Sequence, residues 1–152
     1  RLVPFKPPGP PGPGAEGGNE PGTFDLLGFT HYWARSRAGR WIVRRQTAQK
    51  RLSRALHSIA EWCRKHRHEP IKEQHRTLSQ KIRGHFEYYG ITGNLRQLAA
   101  FWAGVKRCWK KWLCRRSQRA KKTWDWMDGL LKRFPLPPVT VVHSCLRRTA
   151  TA

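Results

Sequence analysis

Hydrophobic positions change their spacing once along this chain, close to Thr47. Before that point, Leu26–Trp33 (LLGFTHYW) and Arg40–Arg45 (RWIVRR) are short runs rich in aromatic and β-branched residues. The polar stretch ARSRAG, ending in Gly39, lies between them. Two β-prone runs around a polar, glycine-containing loop predict a hairpin, and the loop length leaves its register open. After Thr47 the spacing becomes three and four. Ala48, Leu52, Ala55, Leu56, Ile59, Trp62 and Cys63 form one helical stripe, with Thr47 as its expected N-cap. Pro70 suits the first turn of a second helix, whose stripe is Ile71, His75, Leu78, Ile82, Phe86 and Tyr89, closed by Gly90. Asn94 is placed to cap a third, with Leu95, Leu98, Ala99, Trp102, Val105, Trp109, Trp112 and Leu113 on its apolar face. A short fourth segment carries Trp124, Met127, Leu130, Leu131 and Phe134, and Pro135, Pro137 and Pro138 stop it.

The predicted fold is therefore mainly α. Residues 1–22, with PPGPPGPGAEGGNEPG at 7–22, read as a disordered Pro/Gly-rich linker. Residues 23–46 form the β-hairpin and 47–134 a three- to four-helix bundle. Residues 135–152 read as a Pro-rich, loose tail. No apolar run is long enough to cross a membrane, and the first residues lack the apolar core of a secretory signal, so a cytoplasmic, non-secreted protein is expected.

Charge changes this picture most. The 152 residues contain 31 Lys and Arg against 9 Asp and Glu, a formal charge of +22. Between Ala34 and Lys122 there are 25 basic residues and only 4 acids, Glu61, Glu69, Glu73 and Glu87. So many like charges on packed helices repel one another, and a polyanionic partner relieves that cost. A solvated surface ordinarily mixes signs. Eight Trp and six Phe argue that the chain has a core and is not merely a basic tail.

Candidate chemistry is sparse. Cys63, His66 and His68 (CRKHRH) and the pair Cys108 and Cys114 do not give four zinc ligands at ordered spacing. Cys63 lies on an apolar stripe, where a thiol behaves as a small hydrophobe. Asp125 and Asp128 are the only close carboxylate pair, and Asp125 is better placed to favour a helix N-terminus. No phosphate loop, nucleophile elbow or HExxH pattern occurs, so the chain is expected to act without catalysis, metal or cofactor of its own. Most tryptophans belong to apolar stripes, and Tyr32 and Trp41 in the hairpin are the ones expected to be exposed. Arginine and lysine are the stronger candidates for contact, because they meet phosphate oxygens directly. Arg44, Arg45, Lys50, Arg51, Arg54, Arg83, Arg107, Lys110 and Lys111 are the predicted RNA-binding residues.

Several stretches together resemble the group II intron reverse transcriptases, or maturases. They are TFDLLGFTHYW (23–33), GRWIVRRQTAQK (39–50), AEWCRKHRH (60–68), LSQKIRGHFEYYGITGN (78–94), WKKWLCRR (109–116) and PLPPVTVVH (135–143), in collinear order. GHFEYYGITGN is the most specific block. The Pro/Gly insert at 7–22, Leu26 where Phe is common and the tail CLRRTATA depart from the family pattern. The resemblance implies that Leu27, Gly28 and Phe29 match the hairpin that grips the primer at the end of the polymerase palm. It implies that the helices are the thumb, or maturase-specific domain X, which binds intron RNA, assists splicing and holds the template–primer duplex. The paired palm aspartates that bind Mg in the parent RNA-directed DNA polymerase are absent, so the chain reads as a C-terminal fragment of such an enzyme. The expected partners are group II intron RNA and an RNA–DNA template–primer duplex, in a bacterial cytoplasmic nucleoprotein, with no membrane. Two alternatives remain at this level: a polymerase fragment completed by a palm from another chain, and a generic basic component of ribonucleoprotein particles.

Overall fold

A computed structural model describes residues 5, 22–117 and 122–143. The predicted linker (but for Phe5 and Gly22) and the residues after His143, including Cys145, lie outside them. The chain divides into two units, 1–48 and 49–152.

The first unit is a three-stranded antiparallel sheet in the order β1 (Phe24–Leu26), β2 (Phe29–Arg35), β3 (Trp41–Thr47). The sequence predicted one hairpin; there are two. Leu26 pairs with Phe29, so Leu27 and Gly28 form a two-residue turn. Both have positive φ, 51° and 84°, as a type I′ turn demands. The second hairpin closes through Ser36–Arg40. There Gly39 N donates to Ser36 O, and Gly39 adopts φ 73°, giving a type I turn followed by a left-handed glycine. Thr47 is the last residue of β3, paired with Phe29, and not the predicted helix cap. Directly paired residues share a face of the sheet. Phe24, His31, Trp33 and Val43 therefore lie on one side, where Phe24 stacks on His31 and Phe5 stacks on Trp33.

The second unit holds α1 (Gln49–Lys65), α2 (Ile71–Tyr89), α3 (Leu95–Cys114) and α4 (Trp124–Arg133). The predicted stripes supply most of its core, but Phe101, which lay off the stripe predicted for α3, is buried, while Leu95 and Ala99, which lay on it, are exposed. Leu52, Ile59 and Cys63 come from α1, and Leu78, Ile82 and Phe86 from α2. Leu98, Phe101, Val105, Trp109 and Leu113 come from α3, and Met127 and Leu130 from α4. Gly104 lets α1 and α3 approach closely, because a Cβ there would stand 2.5 Å from Leu56 Cδ2. One further cap differs from expectation, and one was not predicted. Asn94 precedes α3 but makes no cap bond; its buried Nδ2 instead donates to Tyr89 O at 2.8 Å, tying the α2–α3 turn. Thr123 caps α4, its hydroxyl accepting from Trp126 N, with Asp125 in the first turn as expected.

A buried polar junction locks the helix ends together. Gln74 is 1 % exposed. Its Nε2 donates to the carbonyls of His66, Arg67 and Glu69, and its Oε1 accepts from Trp109 Nε1 at 2.8 Å. Arg116 donates to the Arg67 and Glu69 carbonyls as well. The His66, Arg67 and Glu69 carbonyls just past the end of α1 thus find donors, as buried backbone must.

The expected loose tail is corrected over 135–143. Leu136 is buried and Val139 packs on the core. Pro135 O accepts from His75 Nε2, and Gly90 O accepts from the backbone N–H groups of Val142 and His143. His143 bridges Ile91 in parallel register, and its Nε2 donates to Glu87 O at 2.8 Å. Gly90 is needed there by space and not by φ: a Cβ would fall 3.1 Å from Val142 N and far inside contact of Phe86 O.

Candidate nucleic-acid interface

Helical periodicity sorts the cations of the second unit automatically. Once Leu52, Ile59 and Cys63 face the core, Lys50, Arg51 and Arg54 must point away, and all three are exposed. The same logic on α3 turns Arg107, Lys110 and Lys111 outward from Leu98, Val105 and Trp109. Arg96 continues that row along α3, a position sequence reasoning passed over although its spacing places it there.

Acidic partners are few on these faces. Among the described residues, Glu61 pairs with Arg64, Glu69 with His66, Glu73 with Arg76 and Asp128 with Lys106. None of the predicted cations of this unit, Lys50, Arg51, Arg54, Arg83, Arg107, Lys110 or Lys111, shares an ion pair with a described carboxylate. Two of them lie over aromatic rings instead, Lys110 at 4.8 Å from the Trp124 centroid and Lys111 at 5.6 Å from that of Trp112.

The structure does not gather all the predicted residues. Arg83 lines a separate groove of about 650 Å³ with Lys72, Arg76 and Pro135–Pro138, away from the α3 row. Arg44 and Arg45 belong to the sheet unit, where as neighbours on β3 they project to opposite faces. Arg44 shares its face with Tyr32, and Arg45 shares the aromatic face with His31. Tyr32 and Trp41 are half-buried and not exposed as predicted; the Arg35 guanidinium covers the Trp41 ring at 4.7 Å. Leu27, Gly28 and Phe29 form the β1–β2 turn and the start of β2. Leu27 is 76 % exposed at the tip. Gly28 O accepts from Ala48 N at 2.9 Å, anchoring the turn to the end of β3.

One cluster was not foreseen. Lys106 and Lys110, one turn apart on α3, place their ammonium groups 5.4 and 4.8 Å from the centre of the Trp124 ring. Lys106 also lies 5.4 Å from the Trp102 ring. The sequence put Trp124 on the apolar stripe of α4, but the ring is 46 % exposed and Trp126 is the one packed inward. The approach of α4 to α3 is long-range information, which no local spacing contains.

The thiols and histidines do not assemble a reactive centre. Among the described residues no three His, Cys, Asp or Glu side chains stand together as metal ligands. Burial, reinforced by nearby Cys108, pushes the Cys63 thiol up to about 12, and burial raises Cys108 too. Both are therefore protonated near neutrality and unsuited to nucleophilic work. His85 stacks on Phe101 with ring centres 3.7 Å apart, and burial lowers its pKa to about 4, which keeps it neutral. No described helix is long and apolar enough to cross a membrane. No family model, curated protein or solved structure matches this chain.

Proposed function

We propose that the helical unit is an RNA-binding module of the thumb and maturase-domain type found in group II intron reverse transcriptases. In that role it helps intron RNA fold and splice, and holds a template–primer duplex. Binding rests on phosphate contacts from the outward faces of α1 and α3. The observation that carries the reading is the row of exposed Lys50, Arg51, Arg54, Arg107 and Lys111 without carboxylate partners among the described residues. Of the four acids from α1 to the end of α2, Glu61, Glu69 and Glu73 are engaged by Arg64, His66 and Arg76, and Glu87 near the end of α2 shares no ion pair with a described residue. The family-specific part of the proposal rests on the GHFEYYGITGN block and the collinear stretches around it. The role is one of binding: no set of paired acids is placed for polymerase chemistry in this sequence.

The full chain titrated with a folded group II intron RNA tests this. With about 6–10 phosphate contacts, affinity falls about 10³–10⁵-fold between roughly 50 and 200 mM salt. Changing Lys50, Arg54, Arg107 and Lys111 together to Glu weakens binding strongly and flattens the salt dependence by about four contacts. Unchanged affinity in that variant ends the proposal. Equal affinity for the intron and for a random duplex of the same length removes its maturase part and leaves a generic basic binder.

A further inference from the structure

The geometry points to Trp124 as a stacking platform for one unpaired base of a single-stranded RNA segment, with Lys110 and Lys106 beside it to take the neighbouring phosphate. This rests on the RNA-binding reading above and names a subsite within it. Trp124 opens α4, and its ring is nearly half exposed in a unit whose other aromatic residues are mostly turned inward. Both lysines reach it from α3, at 5.4 and 4.8 Å, so they brace one side and leave the exposed part of the indole facing away from α3. Lys106 is partly neutralised by Asp128 at 4.0 Å, whereas Lys110 shares no ion pair with a described residue. Lys110 is thus the phosphate contact, and Lys106 mainly fixes the ring.

This combination selects its ligand. A flat aromatic surface is of little use to a regular duplex, whose bases are already stacked on one another. An unpaired base offers a free π-face, and a cation a few ångströms away meets the phosphate that comes with it. Trp beside Lys also suits an anionic lipid surface. The charge on α1 and α3 extends far beyond this corner, and along those two helices Leu95 alone is a strongly exposed large apolar residue, which favours the nucleic acid.

The test uses the full chain, an unstructured single-stranded RNA, a duplex RNA of equal phosphate number and phosphatidylserine vesicles. Trp124→Leu keeps an apolar contact but removes the ring; Trp124→Phe keeps a ring. The Leu variant should lose about tenfold in affinity for the single strand. It should keep its duplex affinity and its salt dependence, while the Phe variant recovers most of the loss. Lys110→Gln should lower the salt slope by about one for the single strand. Equal losses on both RNAs, or none on either, overturn the platform while leaving the electrostatic reading intact. A wild-type chain that binds neither RNA overturns both, and Trp124-dependent binding to vesicles alone reassigns the site to a membrane surface.

Discussion

The sheet unit and the helical unit solve the same problem by different means. In the helical unit, fourteen buried apolar residues form one cluster, and even its buried glutamine has every hydrogen-bonding group engaged. In the sheet unit, Thr47 and Ala48 are the only buried residues among those described. Its order comes from turn geometry, backbone pairing and stacked rings along one face. Helices with a shared interior tolerate an outer surface of nearly unmixed positive charge, because the cost of repulsion is set against many buried contacts. A single sheet layer has no such reserve. It follows that damage inside the helical unit is expensive, whereas the sheet responds chiefly to changes in its turns.

The greatest loss is expected at Trp109, which is fully buried and donates to Gln74. Trp109→Ala removes the largest core side chain and strips the acceptor Gln74 Oε1 of its donor. Denaturant unfolding followed by helical circular dichroism should show about 3–5 kcal/mol less stability. A loss under about 1 kcal/mol would mean that the core is looser than its packing indicates. Gly104 comes next. Gly104→Leu pushes a branched side chain against Leu56 and should cost about 1–3 kcal/mol, part of which returns in the double variant with Leu56→Ala. Additive effects of the two substitutions would show that α1 and α3 do not meet there.

The contrast between the units also explains what could be read from the amino-acid order. Helix stripes were readable because the period of 3.6 repeats over many residues, so most core positions of α1, α2 and α3 emerged with their ends close to the observed ones, although Phe101 was missed and Leu95 and Ala99 at the start of α3 are exposed. The outward placement of Lys50, Arg51, Arg54, Arg107 and Lys111 followed from the same arithmetic. Strand β1 was missed because three residues make too short a pattern, and because Leu-Gly replaces the usual Asn-Gly in its turn. Gln74 was missed because a polar side chain on an apolar stripe looks like an interruption until its partners, three carbonyls and a distant indole, are known. The segment 135–143 has no period at all; its attachment at Gly90 and Glu87 is wholly tertiary. For the same reason the meeting of Trp124 with two α3 lysines could not be foreseen.

A smaller effect, conditional on pH, is expected at His85. Burial lowers its pKa from 6.5 to about 4, so the folded protein holds the ring neutral where the unfolded chain already takes up a proton. Protonation then favours unfolding, and its contribution to stability is complete above about pH 6.5 and declines as pH falls towards 4. His85→Phe keeps a ring to stack on Phe101 and abolishes this titration. Denaturation midpoints at neutral pH and at mildly acidic pH should therefore differ more in the wild type than in the variant. Identical pH dependence in the two would remove His85 from the acid response.

The smallest effect lies in the sheet, and it runs in the opposite direction. Leu27 has φ 51°, a left-handed conformation that a leucine adopts only at a cost of about 1–2 kcal/mol. Asn tolerates that region and is favoured at the first central position of a type I′ turn followed by glycine. Leu27→Asn should therefore strengthen the β1–β2 hairpin by roughly 1 kcal/mol, seen as slower amide exchange across the Leu26–Phe29 and Phe24–His31 pairs. If the exposed Leu27 side chain serves only the turn, RNA affinity stays where it was. If affinity drops while the hairpin stabilises, the leucine is held at the tip for contact with a ligand, as the primer-grip resemblance of Leu27, Gly28 and Phe29 implies. A destabilised hairpin would show instead that the turn is not of the I′ type and that the pairing of β1 is set by something other than its backbone.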